Sequence, residues 1–220
     1  MKHLIALILI VAAGLAAAER FDHQVREMFF AGYSGNRPAL EKAMAVCESI
    51  LQENPEHAEA LVWSGGGLLF LAGELFQRGD GRNGTEAWQR GLERMDRAVR
   101  LEPGNLAVRI PRGAAVLQAS NFVPNPPTAR SLLERGVSDY EFAYKAQESV
   151  LDQMSGHAIG ELLVGLADGH RRLGNADQAK HYFQKLLAVG AKSGHEAEAK
   201  EYLETGTLGK PVRCVGCHTR

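Results

Sequence analysis

The sequence predicts an all-α fold of about four irregular helix pairs, followed by a capping helix and a short C-terminal tail. Apolar residues recur at helical spacing along most of the chain, and no stretch alternates as a half-buried strand would. Turn-forming groups such as Ser34-Gly35-Asn36 and Asn54-Pro55 separate the periodic stretches. The 220 residues are 45% hydrophobic with a formal net charge of -1, which indicates one globular domain and no basic excess for nucleic acid.

Residues 1–18 have the pattern of a secretory signal peptide. Lys2 provides the positive start, residues 4–15 form an apolar core, and residues 16–18 are three alanines that suit a cleavage site. The apolar run is short for a membrane span, and no cysteine follows the cleavage site to carry a lipid. We therefore expect an exported, periplasmic protein that begins near Glu19 and has no membrane span after the signal is removed.

Four helices are predicted in the first half of the mature chain, in two pairs. They cover residues 21–33, 37–53, 58–77 and 85–101. Pro38 is tolerated in the first turn of the second helix, and residues 78–84 are expected to form the loop of the second pair. The second helices share one spacing, in which Ala43, Cys47, Ile50 and Pro55 recur as Gly91, Met95, Ala98 and Pro103. The sequence therefore contains an internal repeat.

The second half of the chain is predicted to contain two more pairs and the cap. Helices are expected at 105–120, from Thr128 to about 147, on either side of a turn at 173–177, and at 195–205. Pro111 is expected to kink the first of these helices or to delay its start, because proline removes an amide donor. Residues 122–127, which contain three prolines, are expected to form an extended loop.

Small residues occupy the positions where paired helices would touch. The matching residues are Trp63, Gly67 and Phe70 in a first helix, Ala43, Gly91 and Ala179 in second helices, and Pro55 and Pro103 at the exits. In this pattern the chain resembles the tetratricopeptide repeat (TPR) family. The resemblance implies a helix-turn-helix solenoid over residues 19–205 that binds protein partners through an extended surface. The long interval between Pro55 and Pro103 indicates that the repeats are irregular.

The C-terminal tail, residues 206–220, is expected to be flexible and contains Cys214-Val215-Gly216-Cys217-His218. Two thiols separated by two residues, with an imidazole directly after the second, are what covalent haem attachment requires. The motif resembles the haem site of c-type cytochromes. That resemblance implies one haem c per chain, held as thioethers by Cys214 and Cys217, with His218 as an axial ligand of the iron.

Other interpretations of this motif remain open. Two cysteines at this spacing also occur in redox disulfides and in zinc sites. The pair does not start a helix in a βαβ setting, however, and no second CxxC accompanies it. Export favours the haem interpretation, because c-type haem is attached in the bacterial periplasm. Cys47 would then be left without a partner, and we expect it to be buried as a small hydrophobic residue.

A second axial ligand of the iron is expected from the helical body or from another chain, because only two residues follow His218. The candidates are His23, His57, His157, His170, His181 and His195, together with the methionines other than Met1. Among these we favour His157 or His170, since each lies near a helix end or in a groove. Five-coordinate iron, or a water ligand, is the competing outcome.

No Ser/His/Asp set, paired carboxylate motif, phosphate loop or HExxH is visible, so we do not expect an enzyme. Arg109 and Arg112 could bind an anion such as a haem propionate, but a solvated or salt-bridged pair is the favoured interpretation. The predicted function is electron transfer, or the scaffolding of a periplasmic redox complex, through a protein partner or self-association. The alternative is a haem-free periplasmic scaffold whose motif is a thiol or metal site.

Overall fold

The computed structural model describes residues 20–212. Within this range 82% of the residues are helical and no strand is present, so the predicted all-α class is confirmed there. The α-helices of this range are α1 (Phe21–Tyr33), α2 (Arg37–Glu53), α3 (Ala58–Gln77), α4 (Gly81–Leu101), α5 (Leu106–Ala119), α6 (Pro126–Gln147), α7 (Gly156–Leu173), α8 (Ala176–Val189) and α9 (Glu196–Thr205). Short 3-10 helices at Glu148–Gln153 and Ala191–Ser193 follow α6 and α8.

Polar side chains fix the starts of six helices. Asn36, His57, Asp80, Asn105, Asn125 and Ser155 each accept a hydrogen bond from a backbone N–H in the first turn of the helix that follows. These bonds satisfy amide donors that a helix start leaves unpaired. Gly174 and Gly206 end α7 and α9 in the left-handed conformation that glycine adopts most readily. These caps account for the starts of six helices and the ends of two.

One cap also explains why the second helix pair differs from its prediction. Helix α4 begins at Gly81 rather than at residue 85, because Oδ1 of Asp80 accepts a hydrogen bond from the N–H of Asn83 at 3.3 Å. The predicted loop 78–84 is thus only the short turn before Gly81.

The third pair differs from its prediction at Pro111 and at the start of α6. Helix α5 begins at Leu106 and continues past Pro111, so of the two expected effects of this proline the late start does not occur. Helix α6 begins at Pro126, since Oδ1 of Asn125 accepts a hydrogen bond from the N–H of Thr128 at 2.9 Å. Thr128, the expected start of this helix, is therefore in its first turn, and Asn125 is the cap.

The helices pack in successive pairs, α1 with α2, α3 with α4, α5 with α6 and α7 with α8, and α9 packs on α8. The first helix of each pair also contacts the first helix of the next, α1 with α3, α3 with α5 and α5 with α7. Two clusters of buried side chains result. One surrounds Phe29 and Met95 in the first two pairs, and the other surrounds Leu166 and Phe183 in the last two.

Glycines lie where paired helices cross. A Cβ atom at Gly91 of α4 would lie 2.8 Å from the carbonyl oxygen of Gly65 in α3, a distance that real Cβ atoms do not tolerate. A Cβ atom at Gly136 of α6 would similarly lie 3.1 Å from the carbonyl oxygen of Gly113 in α5. The close helix contact predicted at Gly91 is therefore confirmed.

Helix α3 is long and apolar enough, by length and composition, to cross a membrane, and it is the single such helix within residues 20–212. Of its most apolar window, 56% is buried inside the fold. Its residues Leu61, Val62 and Trp63 belong to the first core cluster, and that position accounts for its apolar character.

Replacing Gly91 by alanine should lower the free energy of unfolding by about 1–3 kcal/mol, because the new methyl group forces α3 and α4 apart. Gly73 of α3 is the matched control, since a Cβ there meets no atom within 4 Å. Gly73→Ala should raise the free energy of unfolding by about 0.5–1 kcal/mol through helix propensity. Urea unfolding followed by circular dichroism measures both, and a Gly91→Ala variant as stable as the parent would contradict this packing.

Candidate functional site

The predicted haem-attachment residues Cys214, Cys217 and His218 lie outside the described residues. The described residue nearest to the motif is Val212. That residue is buried, with 5% of its surface exposed, and it belongs to the second core cluster. Cys214 follows only two residues later.

Val212 lines a small depression between the C-terminal end of α5 and the C-terminal half of α7. The residues that line the depression with it are Leu117, Gln118, Asn121, Gly165, Asp168 and Arg172. The segment between α9 and Val212, which was expected to be flexible, makes two further contacts with the body. Leu208 packs against the second core cluster, and the N–H of Gly209 donates a hydrogen bond to Oε1 of Glu201 at 2.7 Å. The chain is thus in contact with the body up to Val212.

Two arginines at the end of α7 share one carboxylate beside this depression. Nε and Nη2 of Arg171 lie 3.0 and 2.7 Å from Oδ1 of Asp168. Arg172 donates to the carbonyl oxygen of Leu117 at 3.2 Å and to Oγ of Ser120 at 2.6 Å. Burial lowers the pKa of Arg172, against the opposing effect of Asp168. The two guanidinium groups and one carboxylate leave a local excess of positive charge.

An exposed aromatic ring lies next to the same depression. Phe122 is 75% exposed, more than any other large hydrophobic residue that the structure describes. It directly follows Asn121, one of the residues lining the depression around Val212. The short loop between α5 and α6 therefore presents an apolar ring to solvent close to where the chain leads to the motif.

The favoured ligand candidate His170 lies between α6, α7 and α8 and is engaged there. Its Nε2 atom is 3.2 Å from Oε1 of Glu141, and its Nδ1 atom is 3.3 Å from the side-chain nitrogen of Asn175. The ring stacks on Tyr182 with centroids 5.5 Å apart. His170 is 5% exposed and does not line the Val212 depression. To bind iron, its imidazole would have to leave all three contacts.

The other candidate, His157, is exposed in the first turn of α7. Gly165, the nearest residue of α7 that lines the depression, lies eight positions later in this helix, or about 12 Å along its axis. Neither His157 nor His170 lines the depression that Val212 lines, and the second axial ligand stays a prediction.

The remaining histidines of the described chain have structural surroundings. Nδ1 of His57 caps α3 by accepting from the N–H of Ala60 at 3.1 Å, and His181 packs edge-on against Tyr182. His23 lies 3.9 Å from Asp22, and His195 pairs with Glu161. None of these rings lines the depression around Val212.

Arg109 and Arg112 form a buried ion-pair network, so the salt-bridged interpretation is confirmed. Both guanidinium groups donate to Asp139, which is fully buried, with distances of 2.6 to 2.8 Å. Asp96 accepts from Arg112 at 3.0 Å and from Arg135 at 2.7 Å. Burial alone would lower the pKa of Arg112, but the hydrogen bonds and charges of Asp139 and Asp96 outweigh it and raise the pKa.

Sequence reasoning missed Asp139, although the pattern contained a signal for it. Asp139 lies among the apolar residues Leu132, Val137 and Tyr140 on the buried face of α6. Because a buried carboxylate requires a partner, its place in that pattern indicated a cation on a neighbouring helix.

Cys47 is fully buried and free, which confirms its expected role as a small core residue. Burial raises the pKa of its thiol to about 12, so little thiolate forms at neutral pH. Within residues 20–212 no group of three or more His, Cys, Asp or Glu side chains is arranged to hold a metal ion.

Asp139→Ala should lower the free energy of unfolding by about 3–5 kcal/mol, because it leaves the guanidinium group of Arg112 buried without this partner. Glu134→Ala, in the same helix, removes an exposed pair with Arg130 and should cost less than about 0.5 kcal/mol. Denaturant unfolding measures both values. Equal small losses in the two variants would show that the buried network contributes little.

A second prediction concerns His195, which is 3% exposed, with its Nε2 atom 3.0 Å from Oε1 of Glu161. Burial alone would lower the pKa of His195, but the hydrogen bond to Glu161 and the charges of Glu161 and Glu198 raise it. Protonated His195 therefore contributes its full share to the free energy of unfolding below the unfolded-state pKa of about 6.5. That contribution is lost as the pH rises through the higher folded-state pKa.

The thermal midpoint of the parent should consequently fall between about pH 6 and about pH 9 by more than that of Glu161→Gln. The amide keeps the shape of the side chain but removes the charge that holds the proton on His195. Differential scanning calorimetry across this pH range is the measurement. Identical pH profiles for the two proteins would contradict the assignment.

The comparisons of this chain with known proteins give no family assignment. No family model matches the sequence, and neither curated proteins nor solved structures show a significant match to it.

Proposed function

We propose that this chain is an exported protein that carries one covalently attached haem c at its C-terminus. Cys214 and Cys217 form the thioethers, and His218 binds the iron on one face. The observation that carries the proposal is the sequence Cys214-Val215-Gly216-Cys217-His218, whose spacing fits the attachment pattern completely. The signal-like residues 1–18 support it independently, because they direct the chain to the compartment where such haem is attached.

The helical body is proposed to be a TPR-like solenoid. The contacts between successive first helices, from α1 through α3 and α5 to α7, support this arrangement. So do the glycines Gly65, Gly91, Gly113 and Gly136 at the crossings of two helix pairs. A stack of this kind offers an extended surface for a protein partner. The body would then act as the recognition element of the molecule.

The proposed role is electron transfer, or the scaffolding of a redox complex, rather than catalysis by the body. Val212 lies in the core, and His218 is six residues further on, so the axial ligand lies within about 20 Å of Val212. A partner bound to the helical surface would therefore be held near the haem. The body supplies recognition, and the haem supplies the electron-carrying group.

Expression of the full chain in a bacterium that matures c-type cytochromes tests the proposal. The mature protein should gain the mass of one haem, and its Soret absorption should persist after acid-acetone extraction, since thioethers resist extraction. Cys214→Ala and Cys217→Ala should each lose stable haem retention while their far-ultraviolet circular dichroism stays unchanged. Cys47→Ala is the matched control and should keep the haem, because this thiol is buried in the first core cluster.

An unmodified mass together with two reactive thiols would contradict the haem proposal and support the alternative, a haem-free scaffold with a thiol site. Zinc in stoichiometric amount, lost in the same cysteine variants, would identify that alternative as a metal site.

A further inference from the structure

We propose that the attached haem packs against one end of the helical body, on a surface formed by the ring of Phe122 and the guanidinium group of Arg171. We call this the exit surface. The inference rests on the proposed function, and it adds the place where the porphyrin lies and the groups that hold it.

The short chain between Val212 and the two cysteines limits where the haem can lie. Val212 is buried beside Asn121, and Phe122 is the next residue of that loop, one Cα–Cα step of about 3.8 Å away. Cys214 is two residues beyond Val212 and therefore within about 7 Å of it, and Cys217 is within about 17 Å. A porphyrin bound to these two sulfurs can therefore reach the loop between α5 and α6.

The exposed ring of Phe122 offers apolar surface to a porphyrin. Single exposed hydrophobic residues are ordinary, so exposure alone does not mark a site. Phe142 is 37% exposed and lies under the guanidinium group of Arg109 at 4.9 Å, and Phe76 is 45% exposed and packs at Gly84. Phe122 is 75% exposed and directly follows Asn121, which lines the depression together with Val212. Its ring removes apolar surface from water when it packs on the face or edge of a porphyrin.

The guanidinium group of Arg171 offers a positive charge to a haem propionate. The two propionates of haem are carboxylates, which guanidinium groups bind with paired hydrogen bonds. Arg172 is committed to Leu117 and Ser120, whereas Arg171 is held by Asp168 and has 29% of its side chain exposed. The single carboxylate of Asp168 neutralises only part of the positive charge of Arg171 and Arg172. We therefore assign Arg171, the more exposed of the two, as the partner of a propionate.

Hydrogen–deuterium exchange of the haem-loaded full chain tests this surface. Loop residues 120–124 should exchange at least about threefold more slowly in the holoprotein than in the haem-free Cys214→Ala/Cys217→Ala variant, because the porphyrin covers them. Phe122→Ser should abolish this difference and reduce the induced circular dichroism of the Soret band. Phe142→Ser is the matched control and should leave both signals unchanged, because this ring lies in α6 beside Arg109, near the opposite end of α5.

The midpoint potential gives a second readout. Arg171→Gln removes a positive charge beside the haem. Because that charge stabilises the added electron of the reduced iron, the midpoint potential of the variant should be lower. Arg97→Gln in α4, which removes an exposed pair with Glu56, should leave the potential unchanged.

The possible failures are distinguishable. A chain without haem by intact mass overturns the proposed function and this inference together. A haem-loaded chain whose loop 120–124 exchanges as fast as in the haem-free variant, or whose Phe122→Ser variant retains the full protection, overturns the exit surface alone. An unchanged potential in Arg171→Gln overturns the assignment of the propionate partner.

Discussion

The buried carboxylate of Asp139 is the constraint on which the middle of the fold depends. It has no exposed surface, and it accepts hydrogen bonds from Arg109 and Arg112 of α5. Arg112 continues to Asp96 of α4, which also binds Arg135 of α6. The network therefore joins three helices where the two core clusters meet. Because a buried charge without a partner is costly, this arrangement permits one relative placement of the two halves. We infer that it specifies register more than it adds stability.

Close helix crossings impose the second constraint. The backbones of α3 and α4 meet at Gly65 and Gly91, and those of α5 and α6 meet at Gly113 and Gly136. A side chain at any of these positions would separate the pair and open its core. The second and third pairs therefore share glycine at their helix crossings, although their loop lengths differ.

These constraints also determine where the chain leaves the body. Helix α9 packs on α8, and Leu208 and Val212 of the following segment pack on the second core cluster, where Val212 lines a depression with residues of α5 and α7. Under the proposed function, the haem would lie beside Phe122 and Arg171 because Val212 packs at that end of the body. The rest of the helical surface stays available to a partner.

The sequence by itself determined the helices, because their boundaries depend on local features. Apolar periodicity and caps such as Asn36 and His57 act within a few residues, and the predicted bounds of α1, α2 and α3 agree with the structure. The earlier start of α4 was missed because Asp80 looked like part of a glycine-rich loop. The CxxCH motif is also local, so its chemistry could be proposed without a fold.

Only the tertiary structure decided the long-range relations. Asp139 meets Arg112 across a separation of 27 residues, and Val212 adjoins Asn121 across a longer one. No periodicity encodes such pairings, because they depend on how rigid helices stack. For the same reason sequence reasoning favoured His157 and His170 from their place along α7, whereas the fold turns His170 toward Glu141 and Tyr182. A helix fixes the spacing of its side chains, but its neighbours decide which of them face a site.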